Sequence, residues 1–302
     1  MADADYPWFC DEAMARRRAK EGLGIFGVSP HGRNALRSVS RPYVARFMAE
    51  LGPPAAFALF IAWPRSGHSL LGALLDAHPD MAFAHELHAC KWFSEGFTRN
   101  EIFYFCWQNA RHYRRTGRVW GGYDYTVPDQ WQGRVRSLRV LGDKKGGETS
   151  LILSRHPKNL LNIRRVLVSV PLMLVHAVRH PLDNIATMAW RWKHEAYGTI
   201  DDAIDRFRRC AASNRAALEL VGENAITVWH EDLIRDARAE LRRLAKFFAV
   251  EAEPDWLEAC AALVRPSAHR SRDDISWTAA QQRKVRALCD EFSFLSRYRD
   301  EV

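Results

Sequence analysis

A short polar run, Pro64-Arg65-Ser66-Gly67-His68-Ser69, separates the apolar stretch Phe57–Trp63 from leucines at helical spacing, Leu70, Leu71, Leu74 and Leu75. The apolar stretch has the length and composition of a strand buried on both faces. The chain therefore turns from strand into helix here, and the first N–H groups of that helix face the turn. They have no partner within the helix, and the helix dipole adds partial positive charge. Gly67 lets the backbone approach a ligand closely, Ser69 adds a hydroxyl and Arg65 a full charge, so the chemistry on offer is the binding of an anion such as phosphate. Met81–Ala84 reads as a second, short strand with Glu86 just past its end. Ligands of doubly wound sheets bind beyond the carboxyl ends of the strands, so this carboxylate faces the same crevice. It is a candidate proton acceptor, with His85 and His88 as alternatives. A zinc-protease reading of His85-Glu86 fails because Ala89 occupies the position of the second histidine.

The same strand-to-helix pattern returns at Leu172–Arg191, where the apolar run Leu172–Val178 leads into a turn with Arg179 and Pro181. Thr187 and Arg191, four residues apart on the helix that follows, share a face. Further strands are expected at Leu138–Leu141, leading into Gly142-Asp143-Lys144-Lys145, and at Ala225–Trp229. Helical segments are expected at Glu101–Arg115, at Thr149–Val168 with a break at Pro157, and at Asp201–Gly222, Asp236–Phe248, Pro254–Leu263 and Ala279–Phe294. Strands alternating with helices predict an α/β fold: a P-loop-type, mainly parallel sheet flanked by helices, forming one domain over residues 55–302. Residues 1–54 read as a basic N-terminal arm, with Asp11–Glu21 a basic helix and Gly22–Pro54 a surface-lying stretch that packs on the domain or on a second subunit in a homodimer. Residues 94–137 are rich in aromatic residues and arginine and form an insertion. It reads either as a lid over an acceptor or as helix packing with a solvated basic face.

The loop resembles the P-loop of nucleotide-triphosphate enzymes, with Ala62 in place of the first glycine and His68 in place of the lysine. The run Pro64-Arg65-Ser66-Gly67-His68-Ser69, followed by a helix ending in Asp76-Ala77-His78-Pro79, resembles more closely the 5′-phosphosulfate loop of sulfotransferases. Their donor is 3′-phosphoadenosine 5′-phosphosulfate (PAPS) and their product 3′,5′-phosphoadenosine (PAP). The nearest branch is that of the tyrosylprotein and carbohydrate enzymes. The resemblance implies that Arg65, Ser66, Gly67, His68, Ser69 and Leu70 hold the 5′ end of the nucleotide and that Glu86 is the catalytic base. It implies that Lys144, or Lys145 in its place, reaches the transferring sulfuryl group together with Arg65, and that Arg179, Thr187 and Arg191 bind the 3′-phosphate. It also places Arg272, Ser276 and Trp277 in a loop closing over the adenine nucleotide, and His230-Glu231-Asp232-Leu233 as a buttress after the last strand. Implied for the whole is in-line sulfuryl transfer to a hydroxyl of a carbohydrate, phenol or peptide tyrosine, without a metal. The alternatives are a kinase-like P-loop enzyme using ATP and magnesium, and a nucleotide-binding module without turnover.

Composition sets the remaining bounds. A net charge of +8 suits an anionic ligand but is spread along the chain, so no nucleic-acid tail is formed. The six cysteines are scattered without a C-x-x-C pair, which fits a reducing compartment. The first twenty residues lack the apolar core of a signal peptide, and no apolar run is long enough to span a bilayer, so a cytoplasmic protein is expected.

Overall fold

The computed structural model describes residues 30–120, 122–194 and 199–302, by backbone alone at 30–33, 35 and 190–194. Seven strands occur in this part of the chain: β1 (Ala56–Ala62), β2 (Met81–His85), β3 (Val119–Trp120), β4 (Tyr123–Asp124), β5 (Val140–Lys144), β6 (Leu172–Val178) and β7 (Ala225–Trp229). Five of them form one sheet in the order β2-β5-β1-β6-β7, and every pair is parallel. The short β3 and β4 form an antiparallel hairpin. The chain leaves β1 toward β2 on one side and β6 toward β7 on the other. Paired β1 and β6, in register at Ala62 and Ala177, therefore open a switch-point crevice at their carboxyl ends.

Both faces of β1 are buried, which is why it reads as a continuous apolar run. Phe57, Leu59 and Ile61 pack into one core with residues of the helices Pro30–Leu51, Arg99–Thr116 and Asn159–Leu167. Ala58, Phe60 and Ala62 point the other way, into a core with the helices His68–Asp76, Ala237–Phe247 and Pro254–Leu263. A third cluster forms around Trp63, whose ring stacks on Phe207 at 4.5 Å while its indole N–H donates to the Phe207 carbonyl at 2.8 Å. No helix among the described residues is long and apolar enough to cross a membrane.

The Asp76-Ala77-His78-Pro79 run acts as a staple. The buried Asp76 carboxylate accepts from the backbone N–H of Phe83 at 2.6 Å and of Gly133 at 2.9 Å, and from the Arg118 guanidinium. His78 accepts from Asp80 N–H through Nδ1 at 3.0 Å, so its Nε2 carries the proton given to the Glu251 carbonyl at 2.7 Å. One short segment thus ties the end of the loop helix to β2, to the insertion and to the C-terminal helices.

Three expectations change. Residues 30–51 are a helix, not an irregular arm: Leu36, Val44 and Phe47 are buried, and this packing outweighs the cost of Pro42 in its interior. The segment Asp11–Glu21 lies outside the described residues. The insertion divides in two. Phe103, Tyr104, Phe105 and Trp107 of the helix Arg99–Thr116 are core residues, and only the β3–β4 hairpin and Tyr125 reach the crevice. Third, β5 begins at Val140 and runs through Lys144, where Leu138–Leu141 was expected. The charged end is buried because Asp143 accepts from the N–H groups of Leu87 at 3.0 Å and Ala89 at 2.7 Å.

Removing Arg118 leaves a buried carboxylate without its charge partner, so Arg118→Met should cost about 3–5 kcal/mol of stability in denaturant titration. His176 supplies a pH test. Buried in β6 between the Thr227 hydroxyl and the Asn214 amide, it is held by burial at about 3 from an ordinary 6.5. The unfolded chain takes up this proton first, so the contribution is complete above 6.5 and is lost as pH falls toward 3. Urea midpoints measured from pH 7 to pH 5 should fall more steeply for the wild type than for His176→Gln, by about 2 kcal/mol over that range.

Candidate active site

A cleft of about 630 Å³ lies beyond the carboxyl ends of β1, β5 and β6. Its floor is the turn after β1, where Arg65 (φ 70°) and Gly67 (φ 84°) both take left-handed conformations. Glycine is required at 67 for a second reason: a Cβ there would stand 2.4 Å from Nδ1 of His230. The helix starts at His68, so the amides at its N-terminus open onto the cleft with Ser69 and Leu70. Ser66 is buried behind the turn, with its hydroxyl 3.2 Å from Nδ1 of His68. Burial first, and then the nearby Lys144, push His68 down to about 3, so a neutral ring fills the position of the P-loop lysine.

Glu86 stands at the mouth of β2 with φ 61°, a rare conformation for a side-chain-bearing residue. Its carboxylate is gripped from two sides, by Lys144 Nζ at 2.9 Å and by Lys145 Nζ. Burial works to raise its pKa, but the two ammonium groups prevail and hold it well below the usual carboxylate range. The lysines differ in position. Lys144 is 1% exposed and lies behind the cleft wall, donating also to Ser69 Oγ at 3.0 Å; burial lowers its pKa. Lys145 lines the cleft, and although burial pulls its pKa down, Glu86 raises it above the ordinary value. The Lys144 stem runs over the loop helix at Gly72, where a Cβ would meet its Cγ at 2.5 Å. Gly146 and Gly147 likewise leave room for Ala62 and the Pro64 ring, at 2.6 and 2.7 Å from any Cβ. Sequence reasoning missed these three glycines. The Lys-Lys-Gly-Gly run and a glycine within a leucine helix are the signals that mark them.

Arg179 follows β6 directly and reaches across to the first turn. Its guanidinium donates to the Arg65 carbonyl at 3.3 Å and to the His269 carbonyl at 2.6 Å, while its buried Nε has no hydrogen-bond partner in the protein. Thr187 lines the same end of the cleft, donating to the Asp183 carbonyl at 2.8 Å and lying 2.9 Å from the Ser271 hydroxyl. Arg191 is on the same helix, but its side chain lies outside the described residues.

The loop expected to close over the nucleotide is present, with different residues facing inward. Arg272 turns to Asp183 and Glu301, Trp277 packs on the third core cluster with its indole N–H on the Arg272 carbonyl at 3.1 Å, and Ser276 is exposed. None of the three lines the cleft, whereas Arg265, His269, Ser271 and Ile275 do. Glu231 and Asp232 are structural: Glu231 accepts from His180 N–H and the Tyr298 hydroxyl, and Asp232 holds Arg297 through both oxygens. His230, adjacent to them, faces the cleft against Gly67, and burial keeps it neutral with a pKa of about 4.

The opposite wall is aromatic. Trp120 meets His85 edge to face at 4.7 Å, beside Glu86, and Tyr123 lies under the Arg265 guanidinium at 5.3 Å. The site therefore has an anion floor at one side, a second cationic corner at Arg179, and a carboxylate with an ammonium partner between them and a flat indole.

Residues 59–254, more than half of the chain, match the model of the Sulfotransferase family. Among solved structures, the sulfotransferase domain of the olefin synthase from Synechococcus PCC 7002 is similar at 18% identity, covering 80% of this chain and 95% of that one with a TM-score of 0.49. Sulfotransferase STF9 from Mycobacterium avium is similar at 12% identity, with 96% and 98% covered and a TM-score of 0.48. Mouse sulfotransferase SULT7A1 complexed with PAP is similar at 11% identity, with 84% and 90% covered and a TM-score of 0.43. No curated protein matches the chain. With its family match spanning both strand-to-helix corners of the cleft, the chain belongs to the sulfotransferase family.

Proposed function

We propose that the protein transfers a sulfuryl group from PAPS to the hydroxyl of a carbohydrate, phenol or tyrosine acceptor. The observation that carries this reading is the convergence on one cleft of the loop helix N-terminus, the Glu86–Lys145 pair and the Arg179–Thr187 corner. A kinase needs the first two and has no use for the third. In the proposed complex, Arg179, Thr187 and Ser271 hold the 3′-phosphate. The amides from Gly67 to Leu70, with Ser69, hold the 5′-phosphate. Arg65 and Lys145 face the sulfuryl oxygens and the charge that develops on the leaving phosphate. The acceptor oxygen attacks sulfur in line, the bond from sulfur to the 5′-phosphate oxygen breaks, and the acceptor proton passes to Glu86.

The ion pairs refine two of these roles. Lys144 is a positioning residue: from behind the wall it fixes Glu86 and Ser69 relative to one another. Lys145 is the lysine that reaches the reacting group. In the free protein the Glu86 carboxylate is a weak base because both lysines hold its charge. A phosphosulfate draws Lys145 toward itself and adds negative charge nearby, and each change makes Glu86 more basic. The base thus gains strength when the donor is in place.

The test is transfer of radiolabelled sulfate from PAPS to a panel of sugars, simple phenols and tyrosine peptides. Sulfated product from at least one class is expected, and release of PAP without any acceptor product would contradict the reading. Glu86→Gln keeps the shape and removes the proton acceptor, and should lower kcat by about 10²–10⁴-fold. A kcat near wild type would assign the base to another group.

A further inference from the structure

A second groove, of about 620 Å³, lies between the helix Ile200–Val221 and the segment formed by the helix Gly146–Arg155 and the turn after it. One wall is a single stripe of the long helix. Arg206, Arg209, Ser213, Ala216 and Leu220 recur at spacings of three and four, so they share one face over about 21 Å at 1.5 Å per residue. The stripe is graded, with guanidinium groups at one end and alkyl groups at the other. The facing wall is formed by Leu151, Leu153 and Leu160, all buried side chains.

Charge and shape select the occupant. The groove is lined by three arginines, with Arg155 added to the two on the stripe, and by no acidic residue. Arg206 also pairs with Glu148 at 3.2 Å, which leaves Arg155 and Arg209 exposed at the rim. Ser213 contributes a buried hydroxyl without a hydrogen-bond partner in the protein. Such a group is costly unless something pairs with it. Spread over about 21 Å, the volume gives a cross-section of about 30 Å², against about 80 Å² for a helix of about 10 Å diameter. An amphipathic helix does not fit, whereas a single extended alkyl chain does. We propose that this groove binds a long-chain carboxylate. Its chain lies between Ala216, Leu220 and the three leucines, and its head group lies at Arg206 and Arg209, within reach of the Ser213 hydroxyl.

Titration of the full chain with the fluorescent polyene fatty acid cis-parinaric acid tests this. Saturable one-to-one binding is expected, and the methyl ester, which lacks the negative charge, should bind at least tenfold more weakly. Arg209→Glu should weaken binding of the acid at least tenfold. Ala216→Trp, which fills the groove, should abolish it, with thermal melts establishing that each variant is folded. Saturating PAP should leave the affinity unchanged. Equal affinity for acid and ester, wild-type affinity in Arg209→Glu, displacement by PAP, or no saturable binding would each overturn the proposal. If Ala216→Trp does not fold, Arg209→Glu, at an exposed position, decides the matter with the ester.

Discussion

The site depends on a buried ammonium group. Lys144 is at the end of a central strand with 1% of its surface exposed, and a charge in such a place survives only with close, well-aligned partners. Those partners are Glu86, Ser69 and the ring of His85 at 3.4 Å, and they come from the second strand and the loop helix. Satisfying Lys144 therefore brings three elements together. Glu86 accepts a left-handed backbone to reach it, and Gly72 gives up a side chain so that its stem can pass. Two further glycines let the turn after the strand press on the anion loop. The carboxylate at the mouth of β2 and the hydroxyl at the start of the helix are in this way fixed by one internal interaction before any ligand arrives, which is the arrangement that positional catalysis requires.

The other half of the site is held differently. Arg179 is half of a latch, its donors engaged by two backbone carbonyls, one from the anion turn and one from the loop that covers the cleft. Neutral carbonyls are weaker acceptors than a phosphate, so an incoming dianion can take these donors over. The catalytic side is preset by charge pairs, and the nucleotide side is kept closed by contacts that a phosphate outcompetes. This division suits a protein that must bind its donor before its base becomes effective.

Much of this was legible in the sequence, for reasons that can be traced. The strands β6 and β7 fall where they were expected, and β1 is displaced by one residue, because their continuous apolar runs depend only on burial from both sides. The anion turn, Glu86 and the Arg179–Thr187 corner are local consequences of strand-to-helix junctions, and the cleft collects them. What was hidden depends on distant partners. Asp143 and Lys144 look like a surface turn until the amides of Leu87 and Ala89 and the carboxylate of Glu86 are known. The helix 30–51 is masked by Pro42 and serines and is stabilised by a core supplied more than fifty residues away. In the covering loop, Arg272, Ser276 and Trp277 have suitable chemistry. Asp183, Glu301 and a hydrophobic cluster turn the first and last of them away, and Arg265 and Ser271 face the cleft instead.

The central claim is that the Arg179 corner is built for a 3′-phosphate. Calorimetric titration of the wild type and Arg179→Ala with PAP, and separately with ATP and magnesium, tests it most directly. Tight PAP binding that weakens by about 100-fold in the variant, with no heat of binding from ATP, is the predicted result. ATP bound as tightly as PAP, or PAP bound equally well by both proteins, would contradict the account.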